Sequence, residues 1–139
     1  MSLEKPVPGS AADWLRHARS DLALASVALP PDALHNELCF HAQQAAEKSL
    51  KALLLHYGIE FPSTHDISYL MELLPPSLGL PPDAEEIAQL TNFAVMFRYP
   101  GGYEDITEEE HQWALAMTRI VYDWAATLML KSGSDLPTS

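Results

Sequence analysis

Between Pro31 and Gly58 the chain runs for twenty-odd residues without glycine or proline, and apolar side chains fall on two of its helical faces. One face carries Leu34, Leu38, Ala42, Ala45 and Ala52; the other carries Ala46, Leu50, Leu53, Leu54 and Tyr57. A helix apolar on a single stripe can lie on a surface, but one apolar on two faces must touch more than one neighbour. The small side chains midway allow another backbone to come close. This segment is therefore the central helix of an α-helical bundle, and Gly58 stands at the C′ position that commonly ends such helices.

Its neighbours can be read from the same periodicity. Ser10 and Asp13 have the spacing of a capping box, and Trp14, Leu15, Ala18, Leu22, Ala25 and Leu29 recur behind them, predicting a first helix from Ala11 to Ala28. After the loop 59–64, a short helix is expected from His65 to Leu74 with Ser63 or Thr64 as its N-cap. Four prolines at 75, 76, 81 and 82 impose an extended connector, and a fourth helix is expected from Asp83 to Phe97, stopped by Pro100-Gly101-Gly102. Thr107 and Glu110 form a capping box for a fifth helix. It carries Trp113, Met117, Ile120, Trp124 and Leu128 out to Lys131, roughly 37 Å at 1.5 Å per residue. No segment alternates apolar and polar residues long enough to form a strand pair. The expected fold is all-α, an up-and-down antiparallel bundle of about four long helices plus one short one. It occupies residues 11–131, between a flexible N-terminus (1–10) and a flexible tail (132–139).

At 139 residues the chain has room for one domain, and 47 % hydrophobic residues suffice to fold it. A single cysteine, Cys39, excludes an intramolecular disulfide and fits a reducing compartment, so the cytoplasm is expected. No apolar run approaches the length of a membrane span. The formal charge of −11 argues against tight sequence-independent binding to a nucleic-acid backbone. It is unevenly spread: residues 1–65 carry seven acids and five bases, residues 66–139 twelve acids and three bases. An anion would bind in the first half or beside Arg98.

Three places can carry chemistry. Arg98 closes a mostly apolar helix and is followed at once by Tyr99, Pro100, Gly101, Gly102 and Tyr103. It is either a capping cation packed on Tyr99, or a guanidinium fork for phosphate beside a loop whose glycines admit close approach. On the central helix, His41, Gln44 and Lys48 share one row, and Glu47 and Lys51 have the favourable i,i+4 order for an ion pair. The plain reading of this stripe is a solvated edge beside the core. Thr64-His65-Asp66 precedes a helix and is either an ordinary cap or an anion seat. Metal ligation is not expected: Glu37/His41 and Glu108/His111 are isolated pairs, and a di-iron bundle needs its Glu-x-x-His on two helices. No cofactor is expected, because no Walker loop, Gly-x-Gly-x-x-Gly, paired CxxC or Gly-x-Ser-x-Gly elbow is present.

Taken in order, Trp14 to Ala25, Phe40-His41-x-Gln43-Gln44-Ala45-Ala46-Glu47-Lys48-x-Leu50-Lys51-Ala52, Thr64-His65-Asp66-Ile67, Phe97-Arg98-Tyr99-Pro100 and Ile106-Thr107-x-Glu109 make this chain resemble the HEPN domain family, "higher eukaryotes and prokaryotes nucleotide-binding". The resemblance spans roughly residues 11–130. It implies a helical bundle, commonly a homodimer, often encoded beside a minimal nucleotidyltransferase. It also implies one of two roles. The first is a nucleotide- or partner-binding module that uses Arg98, Tyr99 and Tyr103, with His41 or Lys48 as second contacts. The second is a metal-independent ribonuclease toxin of a toxin–antitoxin pair, in which an Arg-x(4–6)-His motif acts on RNA. Arg98 matches the arginine of that motif, but the fifth to seventh residues after it are Tyr103, Glu104 and Asp105, and no histidine stands in the window. Were the chain a ribonuclease, Arg98 and Tyr103 would be its catalytic candidates, with another base such as His41 supplied across a dimer. Tyrosine, with an ordinary pKa near 10, is a poor base at neutral pH.

Overall fold

The computed structural model describes residues 5–93 and 105–135. These residues form an all-helical bundle: α1 (Ala11–Ala25), α2 (His35–His56), α3 (Ile67–Glu72), a 3-10 turn (Pro76–Leu78), α4 (Ala84–Ala88) and α5 (Glu108–Asp135). There is no strand among the described residues.

α1 starts as its spacing predicts, with Ser10 Oγ accepting from the Asp13 N–H at 3.2 Å. The return bond is displaced by one residue. Asp13 Oδ2 accepts from Gly9 N–H at 3.0 Å, because the Ser10 N–H is already spent on the Val7 carbonyl. That N–H, followed by the Arg16 guanidinium, holds the Asp13 carboxyl below its usual range. α1 ends at Ala25, three residues before the expected Ala28. The Ser26 hydroxyl and N–H both fold back onto the Leu22 carbonyl, and Pro30 then favours an extended chain.

α2 ends in a Schellman motif: the Gly58 N–H reaches the Leu55 carbonyl, the Ile59 N–H reaches Leu54, and Gly58 takes the left-handed φ of 73° that this closure requires. α3 is shorter than predicted, and its cap is Asp66 rather than Ser63 or Thr64. Asp66 Oδ1 accepts from Tyr69 N–H, while Thr64 Oγ1 is used on the Asp66 N–H. The predicted fourth helix begins at Ala84 but does not run on evenly. Gln89, Leu90, Asn92 and Phe93 bond three residues back, so the chain tightens into a turn at 89–90 before helix resumes at 91–93. Its expected continuation from residue 94 lies outside the described residues. α5 starts with the predicted box, in which Thr107 Oγ1 accepts from Glu110 N–H and Glu110 Oε1 from Thr107 N–H. It extends past Lys131 to Asp135, about 42 Å in all.

α2 lies at the centre. Ala42, Ala45, Ala46, Ser49 and Ala52 are fully buried, which lets α1 pack on one side and α5 on the other. Thr118 Oγ1 on α5 donates to the Ala42 carbonyl at 3.0 Å, and His111 pairs with His35, so α5 runs parallel to α2. Asp21 meets His41 and Lys48 while Trp14 meets Lys51, so α1 runs antiparallel to α2. α3, α4 and the turn after α4 close one side of the core with Ile67, Leu70, Ile87 and Leu90. This up-and-down order leaves the polar arc of α2, from Gln43 round to His41, to be covered by α1 and the loop after Gly58.

Candidate functional site

The polar arc of α2 is organised around two carboxylates. Asp21 projects from the apolar row of α1 that also carries Ala18 and Ala25, and it is almost fully buried. Its Oδ1 accepts from His41 Nδ1 at 3.0 Å and its Oδ2 from Lys48 Nζ at 2.6 Å. One helical turn along, Glu47 is 3 % exposed. Its Oε1 accepts from Gln43 Nε2 and from His65 Nδ1, both at 3.0 Å, and its Oε2 from Lys51 Nζ at 2.7 Å. Gln44 extends this network by donating to the Gln43 side-chain carbonyl.

The i,i+4 ion pair of Glu47 and Lys51 forms as expected, but it is buried rather than solvated, whereas the row of His41, Gln44 and Lys48 stays partly exposed. Gln43, Glu47 and Lys51 are buried because Trp14 of α1 and Phe61 of the loop close over them. These rings meet edge to face with centroids 6.0 Å apart, and Lys51 Nζ lies 5.5 Å from one centroid and 5.6 Å from the other. Ring faces and a carboxylate replace the water that this ammonium loses.

A carboxylate can only accept, so His41 and His65 must each carry a proton on Nδ1. Both rings remain partly exposed, at 36 % and 44 % of the side chain. Each is thus an imidazole tethered through Nδ1 to a buried carboxylate, an arrangement that fixes ring orientation and assigns proton chemistry to Nε2. Lys48, 26 % exposed, directs its ammonium to Asp21 and is the partly exposed cation of this arc.

Among the sequence candidates, His41 and Lys48 are therefore brought together, by a carboxylate that the sequence alone does not single out. Arg98, Tyr99 and Tyr103 lie outside the described residues. Thr64-His65-Asp66 forms an ordinary cap, with His65 turned to Glu47. His111 is 3 % exposed. Its Nε2 donates to the Ala25 carbonyl at 2.8 Å and its Nδ1 faces His35 Nδ1 at 3.0 Å, so both nitrogens are engaged inside the bundle. Asn36 beside it accepts the Ile106 N–H at 3.0 Å, which pins the chain entering α5 to the start of α2. Among the described residues, no three His, Cys, Asp or Glu side chains are grouped to hold a metal ion, and no helix is long and apolar enough to cross a membrane.

Comparison with known proteins decides the family. The HEPN domain model matches residues 11–128, most of the chain. The chain belongs to the HEPN family. Among solved structures, this HEPN domain is similar to the protein TT1696 from Thermus thermophilus, with 31 % identity and a TM-score of 0.74 over 84 % of this chain and 96 % of that one. It is also similar to ST0689, described as an archaeal HEPN homologue, with 25 % identity and a TM-score of 0.64 over 86 % of this chain and 98 % of that one. No curated protein matches the chain. Membership in the HEPN family brings a nucleotide-binding or ribonuclease-like helical module, and the polar arc of α2 is the part of it with the most evident chemistry.

Proposed function

We propose that this protein is a non-catalytic HEPN module that binds the phosphate of a nucleotide or RNA through Arg98, flanked by Tyr99 and Tyr103, and works with a minimal nucleotidyltransferase protein. The observation that carries the reading is the fate of His111. It is the only histidine after Arg98 in the sequence, and its two nitrogens are spent on the Ala25 carbonyl and His35 in the interior. The arginine of the family motif thus has no downstream imidazole to work with, whereas a guanidinium and aromatic rings suffice for binding. His41 and Lys48 serve as second contacts, with ligand oxygens sharing the Lys48 ammonium with Asp21. We place the module in a homodimer that uses the near-neutral half of the chain, since the acidic half repels copies of itself.

A second reading rests on the tethered imidazoles. His41 or His65, held by Asp21 or Glu47, has the orientation a general base needs, and a dimer that brought one of them to Arg98 would make a metal-independent ribonuclease toxin.

Fluorescence titration of labelled mononucleotides and short RNA against wild type and Arg98→Ala tests the binding reading. Saturable binding that weakens by about tenfold or more in the variant is expected, in line with loss of a charge-assisted bidentate contact. Absence of binding, or equal binding by both proteins, would remove it.

A further inference from the structure

The chain has eleven more acids than bases, yet one groove on it carries no acid at all. It lies between α1 and α5, has a volume of about 570 Å³ and is lined by the apolar side chains of Ala12, Leu15, Ala126 and Met129. Arg16, Arg19 and His56 stand at its rim. Three other clefts all include carboxylates: Glu72 and Glu85 in one, Glu109 and Glu110 in the next, Asp13 in the last. Arg16 gives part of its guanidinium to Asp13 and is still half exposed. Arg19 is exposed and makes no ion pair among the described residues. At the far end Leu130 is 77 % exposed, the highest value among the large apolar side chains of the described residues.

The groove has the shape of a seat for a helix. Its walls are helical rows, Ala12, Leu15 and Arg19 on α1 and Tyr122, Ala126 and Met129 on α5, which run side by side for about two turns. Two antiparallel helices with alanines between them form the seat into which the ridges of a third helix fit. We infer that this groove docks an amphipathic helix of a partner protein, with its apolar stripe on Leu15, Met129 and Leu130 and its carboxylates on Arg16 and Arg19. A second copy of the same face is disfavoured, because it would gather Arg16 and Arg19 of both copies into one contact lined by no acid to offset them. The inference stands on this groove alone and does not depend on the phosphate reading.

The test uses the full chain and a fluorescent synthetic amphipathic helix with leucines on one face flanked by glutamates, beside a twin in which lysines replace the glutamates. Anisotropy titration should show the acidic peptide binding at least about tenfold more tightly than its twin, with Arg19→Glu reversing the preference and Leu130→Asp weakening the binding of both. Both substitutions are at exposed positions, and circular dichroism checks that each variant is folded. Equal binding of the twins, or unchanged binding to the Arg19→Glu and Leu130→Asp variants, overturns the inference. So does failure of the acidic peptide to bind while AMP binds in an Arg19-dependent way, which would make the groove a nucleotide site. Failure of the peptide together with self-association lost in Leu130→Asp would make it a contact between copies and also overturn the inference.

Discussion

Lys51 places its ammonium 2.7 Å from the Glu47 carboxylate one helical turn earlier, with the two side chains only 8 % and 4 % exposed. An exposed i,i+4 pair is worth a few tenths of a kcal/mol, but a buried one has given up the hydration of two charges and depends on every remaining contact. Glu47 has those contacts in Gln43 and His65, and Lys51 has them in the rings of Trp14 and Phe61.

Removing one partner of this pair strands the other. Lys51→Met should destabilise the fold by about 3 to 5 kcal/mol, whereas Lys51→Met combined with Glu47→Gln should recover much of that loss. Thermal unfolding of the three proteins measures this, with a drop in Tm of about 10 °C expected for the single variant. A drop within a degree or two would mean that the pair is solvated.

The tethering of His41 and His65 fixes where their protons lie. In both neutral rings Nδ1 should carry the hydrogen and Nε2 the lone pair, since Asp21 and Glu47 can only accept. Long-range proton–nitrogen NMR at a pH where the imidazoles are neutral distinguishes the tautomers. Asp21→Asn and Glu47→Gln should each shift one ring toward the mixture of tautomers seen in free histidine. Nε2-protonated rings in wild type would show that the tethers do not form in solution.

Burial pushes the Cys39 thiol up to about 12, with the nearby Glu110 charge adding to the effect. The folded protein should therefore react with iodoacetamide at least about 100-fold more slowly than the protein in denaturant. A thiol whose folded pKa is raised contributes stability that is intact below its ordinary value of 9.0 and is lost as pH climbs toward 12, because the unfolded chain gives up its proton first. Urea unfolding across that range should show a steeper alkaline loss in wild type than in Cys39→Ala.

The elements legible in the sequence are those whose signals are local. The uninterrupted run ending at Gly58 announces α2, and Thr107 with Glu110 announces α5, since caps and periodicity act within one turn. Periodicity overruns the end of α1 because Leu29 continues the apolar pattern while Ser26 breaks the hydrogen bonding. The site is legible only in part. His41, Lys48, Glu47 and Lys51 can be placed on α2, but the partners that define them come from elsewhere. Asp21 is twenty residues before His41, and His65 is eighteen after Glu47. A carboxylate within the apolar row of α1 is the available signal for Asp21, and it gains meaning only once the helix facing it is known. The burial of His111 against Ala25 and His35 spans more than seventy residues, and nothing local indicates it.

Whether this protein holds RNA or cuts it is settled by incubating the purified chain with labelled RNA in excess chelator, wild type beside Arg98→Ala, with bound and cleaved RNA followed together. Wild type is expected to retain RNA intact, and Arg98→Ala to lose most of the retention. Metal-independent cutting by wild type that disappears with Arg98 would contradict the binding role, and would make the tethered imidazoles of His41 and His65 the first candidates for the base.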